Sequence, residues 1–467
     1  MCRVPRNRAI IWALFSVGTI LYFLLKQNNS LAGVDIVNYM VILGSYAVCC
    51  IVFGLCALNR KIMIFEPMIV VTFIYFFMFV YYPLKDINEG VNTFFGQDIA
   101  AGTIKATLIV MFSYIAFLGG YYLKKSYHVQ MPEQRYMREG SGSKRKIFFV
   151  ALALWLIGLA ANFFYIMSSG KSLAYILSLG AGGAIDSDAG GNGLLGFVGM
   201  FGFLMIGSWF YIKEYGRSRS LKIVTYLLTL LLFWVRGFRF VIVIILVSPI
   251  VLYFVKRKKN PSPFVLAAML VVLLSMITVV GIFRDDIRHG TDTAETSDIG
   301  LDTVEQSLYE NFGQYRPFYI MVGEIPENYS YTYGVKSFVN PLIMFIPRIV
   351  WRGKRFLGES SNNFLSRAAQ IAGSAYCNLG ELYMDFGAIG CVIAMFFVGR
   401  IFGWTKKWIH GRIISDHSLF AYSVLVPLTM QLIIRGYMAS NFNLILFCLL
   451  PIWICSKLGI KEEKTLS

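Results

Sequence analysis

Arginine side chains gather in one stretch of the chain, from residue 284 to residue 378, that has no unbroken apolar run. A guanidinium group is always charged and presents paired N–H donors that match phosphate oxygens. The arginines that follow Arg284 in this stretch are Arg288, Arg316, Arg348, Arg352, Arg355 and Arg367. Their density predicts a polyanionic ligand such as pyrophosphate.

Two of these arginines adjoin prolines, which restrict the local backbone. Arg316 precedes Pro317, and Arg348 follows Pro347. A rigidly presented guanidinium suits recognition of a ligand. Pairing with an acid of the same stretch, such as Glu310 or Glu359, remains the alternative.

A second basic site is the junction Arg236-Gly237-Phe238-Arg239, between apolar runs at 221–235 and 240–255. As helices these runs would be about 22 to 24 Å long, which is shorter than a hydrocarbon core of roughly 30 Å. The junction should therefore lie below the membrane surface, where an arginine must face protein or water. Alternatively, both side chains reach the interface along their own stems. Arg435, between two further short runs, poses the same question.

Glu381 and Asp385 are four residues apart, so on a helix that begins near Gly380 they share one face. The pair could supply a base or hold sugar hydroxyls. An acid in the first turn is also favoured by the helix dipole without any catalytic role. Tyr383, between them, could stack on a sugar or anchor at the interface.

No residue pattern requires a cofactor or a metal. Asp285-Asp286 with Arg288 and His289 could form a metal site, but adjacent acids at a helix end diverge, which favours a solvated end. The eight cysteines include no C-x-x-C, and neither H-E-x-x-H nor a phosphate-binding G-x-x-x-x-G-K-[ST] occurs. We expect no cofactor, no zinc site and no use of ATP.

The elements that position these residues are membrane helices. The chain is 57% hydrophobic, with a mean hydropathy of +0.62 over 467 residues, which exceeds what a soluble core could bury. We predict an all-α polytopic membrane protein with about twelve spans in one domain, residues 1–467. The predicted spans are 9–25, 36–58, 62–82, 103–123, 147–168, 194–212, 221–235, 240–255, 261–283, 379–404, 418–434 and 440–456.

The basic residues indicate the orientation of these spans. They occupy every second loop, which is the positive-inside pattern and gives the net charge of +17 without nucleic acid as a partner. The basic groups are Arg3–Arg8, Arg60–Lys61, Lys124–Lys146, Lys213–Lys222, Lys256–Lys259, Lys406–Arg412 and Lys457–Lys464. Both termini are therefore predicted to be cytoplasmic, and the long loop 284–378 to face outward. Its apolar part, 337–351, is interrupted by prolines and predicts re-entrant or interfacial helices.

Three motifs in this order resemble one protein family. IPRIVW (346–351), GKRFLGESSNNF (353–364) and GELYMDFGAIG (380–390), after the basic Arg236–Arg239 junction, are similar to the bacterial O-antigen or capsule repeat-unit polymerases. The close similarity covers roughly residues 335–390. Each motif alone is weakly specific, and the ordered set carries the resemblance.

The resemblance implies a GT-C-like, metal-independent, inverting glycosyltransferase in the bacterial inner membrane, with its active site facing the periplasm. It would join oligosaccharide repeats carried on undecaprenyl pyrophosphate, in contact with membrane lipids and with a polysaccharide chain-length regulator as a further partner. The implied pyrophosphate ligands are Arg236, Arg239, Arg316 and Arg348, and the implied base is Glu381. The residues Arg288, Arg435, Tyr383 and Asp385 complete the expected substrate site.

Two other functions fit the same spans. An O-antigen ligase would transfer finished polymer to another lipid. A lipid-linked oligosaccharide flippase would move the substrate without forming a glycosidic bond, but it should have two related halves, and the sequence has no convincing internal repeat.

Overall fold

A computed structural model of the protein describes most of the chain. The described residues are 6–57, 63–94, 96–123, 135–168, 198–236, 239–262, 264–266, 268–269, 301–344, 346, 350–351, 376–411, 413–459 and 461–464. Three predicted site residues are affected by these limits. Arg288 and Arg348 lie outside the described residues, and Arg239 is described only by its backbone.

The described chain is mainly helical. Two π-helical turns, Phe77–Tyr81 and Val335–Val339, lie directly before α-helical residues. The helices are α1 (Arg6–Lys26), α2 (Val34–Ala57), α3 (Pro67–Phe76), α4 (Tyr82–Asn88), α5 (Ala100–Tyr122), α6 (Ser141–Met167), α7 (Leu204–Tyr215), α8 (Arg219–Val235), α9 (Arg239–Lys256), α10 (Leu301–Phe312), α11 (Tyr315–Glu324), α12 (Asn340–Met344), α13 (Asn378–Thr405), α14 (Lys407–His410), α15 (Asp416–Ile434) and α16 (Met438–Leu458).

Seven helical stretches among the described residues are long and apolar enough to cross a membrane. They are Val34–Cys56, Pro67–Asn88, Ala100–Tyr122, Gly142–Met167, Asn378–His410, Asp416–Ile434 and Met438–Leu458, with mean hydropathies between 1.5 and 2.3. Shorter apolar helices cover Trp12–Lys26 and Phe240–Lys256. The predicted all-α polytopic membrane protein is thus confirmed, whereas the number twelve, the orientation and the GT-C-like arrangement stay predictions.

Contacts join the helix ends in two separate groups. One end of the bundle is here called the Glu381 end. There the backbone N–H of Asn28 donates to Asn88 Oδ1 at 3.2 Å, and the backbone N–H of Gly436 donates to Tyr376 O at 2.7 Å. At the other, here called the Glu66 end, Lys406 Nζ lies 3.3 Å from Glu66 Oε2. Such a separation of the helix ends into two groups is expected when successive helices cross one layer in alternate directions.

Short strands, which the sequence analysis did not predict, lie outside the spans. β1 (Thr93–Phe94) pairs with β2 (Gln97–Asp98) in a hairpin. β3 (Arg135–Glu139) is the centre of a three-stranded sheet, parallel to β4 (Ile413–Ser415) and antiparallel to β5 (Lys461–Lys464). Strands this short and polar lack the periodic apolar pattern that sequence reasoning depends on.

Helices α5 and α13 touch through glycine. A Cβ built on Gly120 would lie 2.0 Å from Phe396 O, and one built on Gly399 would lie 2.0 Å from Phe117 O. Backbones this close require small residues, as in many membrane helix pairs. Because α13 begins with the GELYMDFG motif, this contact fixes where that motif lies.

Gly120→Ala is therefore expected to lower the free energy of unfolding by about 1–3 kcal/mol, since the added methyl group has no room. Gly119→Ala is the matched control, because a Cβ there meets nothing within 4 Å. Thermal unfolding of both purified variants in detergent checks the prediction. Equal transition temperatures would contradict the close packing.

Candidate functional site

Glu381 lies in the first turn of α13, beside the turn that joins α15 to α16. Its side chain is buried, with only 1% exposed. Glu381 Oε1 accepts a hydrogen bond from the Tyr376 hydroxyl at 2.8 Å, and Oε2 accepts one from the Met438 N–H, at the start of α16, at 2.7 Å. The carboxylate thus faces the N-termini of two helices, where the helix dipoles favour negative charge.

Tyr376, which binds this carboxylate, lies just before α13. Burial raises the pKa of the Tyr376 hydroxyl well above its ordinary value, and the neighbouring Glu381 raises it further. The hydroxyl therefore keeps its proton and stays a donor. A Cβ built on Gly436 would lie 2.0 Å from Cys377 O. The α15–α16 turn therefore packs closely against the residues just before α13.

Asp385 is also buried, but its donors come from a different part of the chain. Asp385 Oδ1 accepts from the Thr332 hydroxyl and from the Lys336 N–H at 3.2 Å, and Oδ2 accepts from the Ser337 N–H at 2.7 Å. Asp385 thus docks the segment around residue 335 onto α13. The sequence placed both carboxylates on one helix face, and the structure gives them different partners.

The helix is interrupted directly after this pair. Gly387 has φ 67° and ψ −160°, so α13 consists of a short first part and a long second part across a kink. A positive φ is readily adopted by glycine and costly for other residues. The GELYMDFG motif therefore forms a separate short helix at the Glu381 end of the bundle.

Lys336 is a buried cation that the sequence analysis missed. Only 3% of it is exposed, and its ammonium group interacts electrostatically with Glu381. The signal was present in the sequence, because a lone lysine within the apolar run after Gly334 is costly in a membrane and marks a possible site.

Polar side chains of α15 and α16 form further hydrogen bonds near Arg435. Gln431 Nε2 donates to Asn441 Oδ1 at 3.4 Å, and Asn441 Nδ2 donates to Arg435 O. The Arg435 guanidinium lies 5.3 Å from the Phe240 ring centre. Arg435 therefore reaches the start of α9, one residue from Arg239.

Arg236 is inside the protein, as predicted for an arginine at a recessed junction. Only 5% of it is exposed. Its Nη1 donates to Asn162 Oδ1 at 2.6 Å and to Gly199 O at 2.9 Å, and the guanidinium lies 4.4 Å from the Tyr165 ring centre. These contacts fix the guanidinium plane in one orientation.

Arg316 has a partner that the sequence did not indicate. Its Nε lies 2.7 Å from Asp86 Oδ2 and its Nη2 lies 2.9 Å from Asp86 Oδ1, which is the bidentate geometry of a strong ion pair. Burial alone would lower the pKa of Arg316, but the hydrogen bonds to Asp86 and the electrostatic influence of Tyr315, Asp86 and Tyr309 together raise the pKa above its ordinary value. Glu310, the partner that the sequence allowed, is described only by its backbone.

Tyr383 is fully buried. Its hydroxyl donates to Ile325 O at 2.9 Å, at the end of α11, and Lys105 Nζ donates to Val322 O of the same helix at 3.3 Å. In this arrangement Tyr383 docks α11 onto α13. Stacking on a sugar stays an untested expectation.

The described residues thus bring together Glu381, Lys336, Asp385 and Tyr376 in one buried cluster, with Arg435 at its border. A buried carboxylate beside fixed donors and a cation can accept a proton from a hydroxyl group, and polar groups buried in a membrane protein generally mark a substrate path. Arg236 and Arg316 occupy separate buried sites.

Comparison with known proteins identifies the family of the chain. The family described as "O-antigen polysaccharide polymerase Wzy" matches residues 7–463. No curated protein and no solved structure matches the chain. Because the match covers nearly the whole chain, including the Glu381 cluster and the Arg236 junction, the protein belongs to the Wzy family of O-antigen polysaccharide polymerases.

Proposed function

We propose that the protein polymerises undecaprenyl-pyrophosphate-linked oligosaccharide repeat units at the periplasmic face of the bacterial inner membrane. The family match over residues 7–463 is the observation that carries this proposal. The product is O-antigen or a related surface polysaccharide. In the proposed reaction, the growing chain moves from its lipid carrier to the non-reducing end of the incoming repeat.

The reaction replaces one bond at the anomeric carbon with another. The acceptor hydroxyl oxygen attacks the anomeric carbon of the donor and forms the new glycosidic bond. The bond from that carbon to the pyrophosphate oxygen breaks, and the lipid pyrophosphate leaves with the bonding electrons. The acceptor proton passes to Glu381. A single displacement of this kind inverts the anomeric configuration.

The cluster around Glu381 has the features that a general base needs here. The carboxylate is held by Tyr376 and by the Met438 N–H, so it has little orientational freedom. Each of its oxygens has a second lone pair for an incoming hydroxyl. The buried Lys336 ammonium lies nearby and supplies a countercharge for the carboxylate.

The arginines are assigned to the leaving group. Fixed guanidinium groups stabilise the charge that develops on a departing pyrophosphate without having to reorganise. Arg435 lies next to the start of α9, and Arg236 is rigidly oriented. The proposed pyrophosphate site contains Arg236, Arg239, Arg288, Arg348 and Arg435. No metal ion is needed for this step, since guanidinium groups carry the countercharge.

The proposed orientation follows from the basic residues. Lys406 and Lys256, both from predicted cytoplasmic loops, form their ion pairs at the Glu66 end, with Glu66 and Asp416. The Glu381 cluster belongs to the opposite end. The positive-inside rule therefore supports a periplasmic position for Glu381.

Reconstitution of the purified protein in liposomes with a synthetic lipid-pyrophosphate oligosaccharide tests the function. We expect a ladder of products that differ by one repeat, undiminished by EDTA. Arg348→Ala should lower the rate by about 10²-fold or more, as loss of a fixed electrostatic donor does in other enzymes. A single transfer product would indicate a ligase, and no new glycosidic bond would contradict the proposal.

A further inference from the structure

Asp86 and its partners form a buried contact that the proposed reaction does not use. The two oxygens of Asp86 accept four hydrogen bonds, from Arg316 Nε and Nη2, from the Tyr309 hydroxyl at 2.6 Å and from the Tyr315 hydroxyl. Only 3% of Asp86 and 7% of Arg316 are exposed. This group, Asp86 with Tyr309, Tyr315 and Arg316, is called the Asp86 latch below.

The latch engages the Arg316 guanidinium. Asp86 neutralises its charge and occupies the Nε–Nη2 edge, one of the two paired N–H edges with which an arginine can bind phosphate oxygens. The ring of Tyr309 lies 4.0 Å from the guanidinium carbon. A pyrophosphate bound at the Nε–Nη2 edge would have to displace a buried carboxylate, which would leave that charge without its partner at high cost. Arg316 is thus poorly placed to bind substrate.

The latch fastens the long loop to the membrane helices. Asp86 belongs to α4, at the Glu381 end, whereas its donors belong to α10 and α11. The loop continues from α11 to the Asp385 contacts of Thr332, Lys336 and Ser337. Lys336 in turn interacts with Glu381. The latch and Asp385 therefore hold the two ends of one segment, residues 301–344, against the bundle.

We propose that Asp86 is a positioning residue, which docks residues 301–344 beside Glu381 through Arg316, and that Arg316 acts as its structural partner and not as a pyrophosphate ligand. The catalytic part of this inference rests on the proposed function. The docking part stands on the contacts alone, so the two parts fail separately.

A double-mutant cycle of Asp86→Asn and Arg316→Gln in the liposome assay tests the pairing. Each single change should lower kcat by about tenfold or more, since each leaves a buried charge without its partner. The double change should cost no more than either single one, because residues that act as a pair are not additive. Tyr315→Phe, which removes one donor and no charge, should give a smaller loss.

The alternative role predicts a different pattern. If Arg316 binds pyrophosphate, Asp86→Asn releases its guanidinium and the KM for the lipid-linked substrate should fall or stay constant. Arg316→Gln should then raise KM whether or not Asp86 is present. Additive effects of this kind would overturn the proposal.

Hydrogen exchange provides a readout that does not depend on activity. Amides of residues 301–344 should exchange about tenfold faster or more in Asp86→Asn, because the loop loses its anchor. Glu305→Gln is the matched control. It removes the partly exposed Lys85–Glu305 ion pair between α4 and α10, and exposed pairs contribute little. Unchanged exchange in Asp86→Asn would overturn the docking role even if the protein made no polymer.

Discussion

Replacing Glu381 with glutamine is expected to lower kcat for repeat-unit transfer by about two to four orders of magnitude, the range that a general base contributes. Glutamine keeps the size of the side chain and removes its ability to take up the acceptor proton. The KM for the lipid-linked substrate should change little, since the arginines that hold pyrophosphate remain. Initial rates of ladder formation in liposomes measure both quantities.

The hydrogen bonds of Glu381 require a control for folding. A glutamine amide has one acceptor oxygen in place of two. If that oxygen accepts from the Met438 N–H, the amide nitrogen faces Tyr376, whose hydroxyl must then accept instead of donate. In the reverse orientation the Met438 N–H loses its partner, at a cost of about 1–3 kcal/mol. Tyr376→Phe removes one of these hydrogen bonds and leaves the carboxylate. Similar unfolding temperatures for the two variants, with activity lost mainly in Glu381→Gln, would separate proton transfer from structure.

An acid elsewhere in the same region provides the matched comparison. Glu327 is an exposed acid just beyond the end of α11, whereas Glu381 is buried. Glu327→Gln should retain full activity. If Glu381→Gln retains more than about a tenth of the wild-type rate, Glu381 is not the base.

The sequence was sufficient for the seven long apolar helices that the structure describes, because continuous apolar runs of about 20 residues have few alternatives to spanning a membrane. The predicted run 147–168 follows α6 as far as Met167, and 440–456 lies within α16. Boundaries were less accurate. The third predicted run, 62–82, begins in the structure at Pro67 and continues to Asn88, because the π-helical turn carries the helix past the apolar stretch.

Local spacing also predicted which residues share a surface, but not what they touch. Glu381 and Asp385 lie on one short helix, as their spacing indicates. Their different environments come from Met438 on one side and the residues around Lys336 on the other. Helical periodicity carries no information about which distant segment packs against a face.

Long-range pairs were the main failure of sequence reasoning. Asp86 and Arg316 are 230 positions apart, and an ion pair leaves no pattern in a single sequence. The same limit applies to Asn162, which orients Arg236 from a different helix. By contrast, the interior position of Arg236 was predictable, because a membrane strongly disfavours an arginine that faces lipid.

Arg236 is the second residue whose replacement should have a large effect. Arg236→Gln is expected to lower kcat/KM for the lipid-linked substrate by about 10²- to 10³-fold, comparable to the loss of one preorganised donor at a developing anion. Inorganic pyrophosphate should also inhibit this variant less than the wild type. Rates and inhibition constants in the liposome assay measure the two effects independently.

The effect of the orientation of the Arg236 guanidinium can be measured separately from the effect of its charge, because Gly199 contacts the guanidinium. A Cβ on Gly199 would lie 3.1 Å from Arg236 Nη2 and 2.9 Å from the Tyr165 ring. Gly199→Ala should therefore shift the guanidinium without removing it. Displacements of about 1 Å can cost about 10²-fold in rate, so we expect a loss between those of wild type and Arg236→Gln.

A second stacked arginine serves as the control for Arg236. The Arg257 guanidinium lies 4.1 Å from the Tyr253 ring centre, at the far end of α9. Arg257→Gln removes the same charge and the same kind of stacking from the Glu66 end of the bundle. If Arg236 acts on pyrophosphate, only its own replacement weakens inhibition by pyrophosphate. Equal losses in both variants would mean that the charge acts on membrane insertion or stability, and the proposed site at the α8–α9 junction would be wrong.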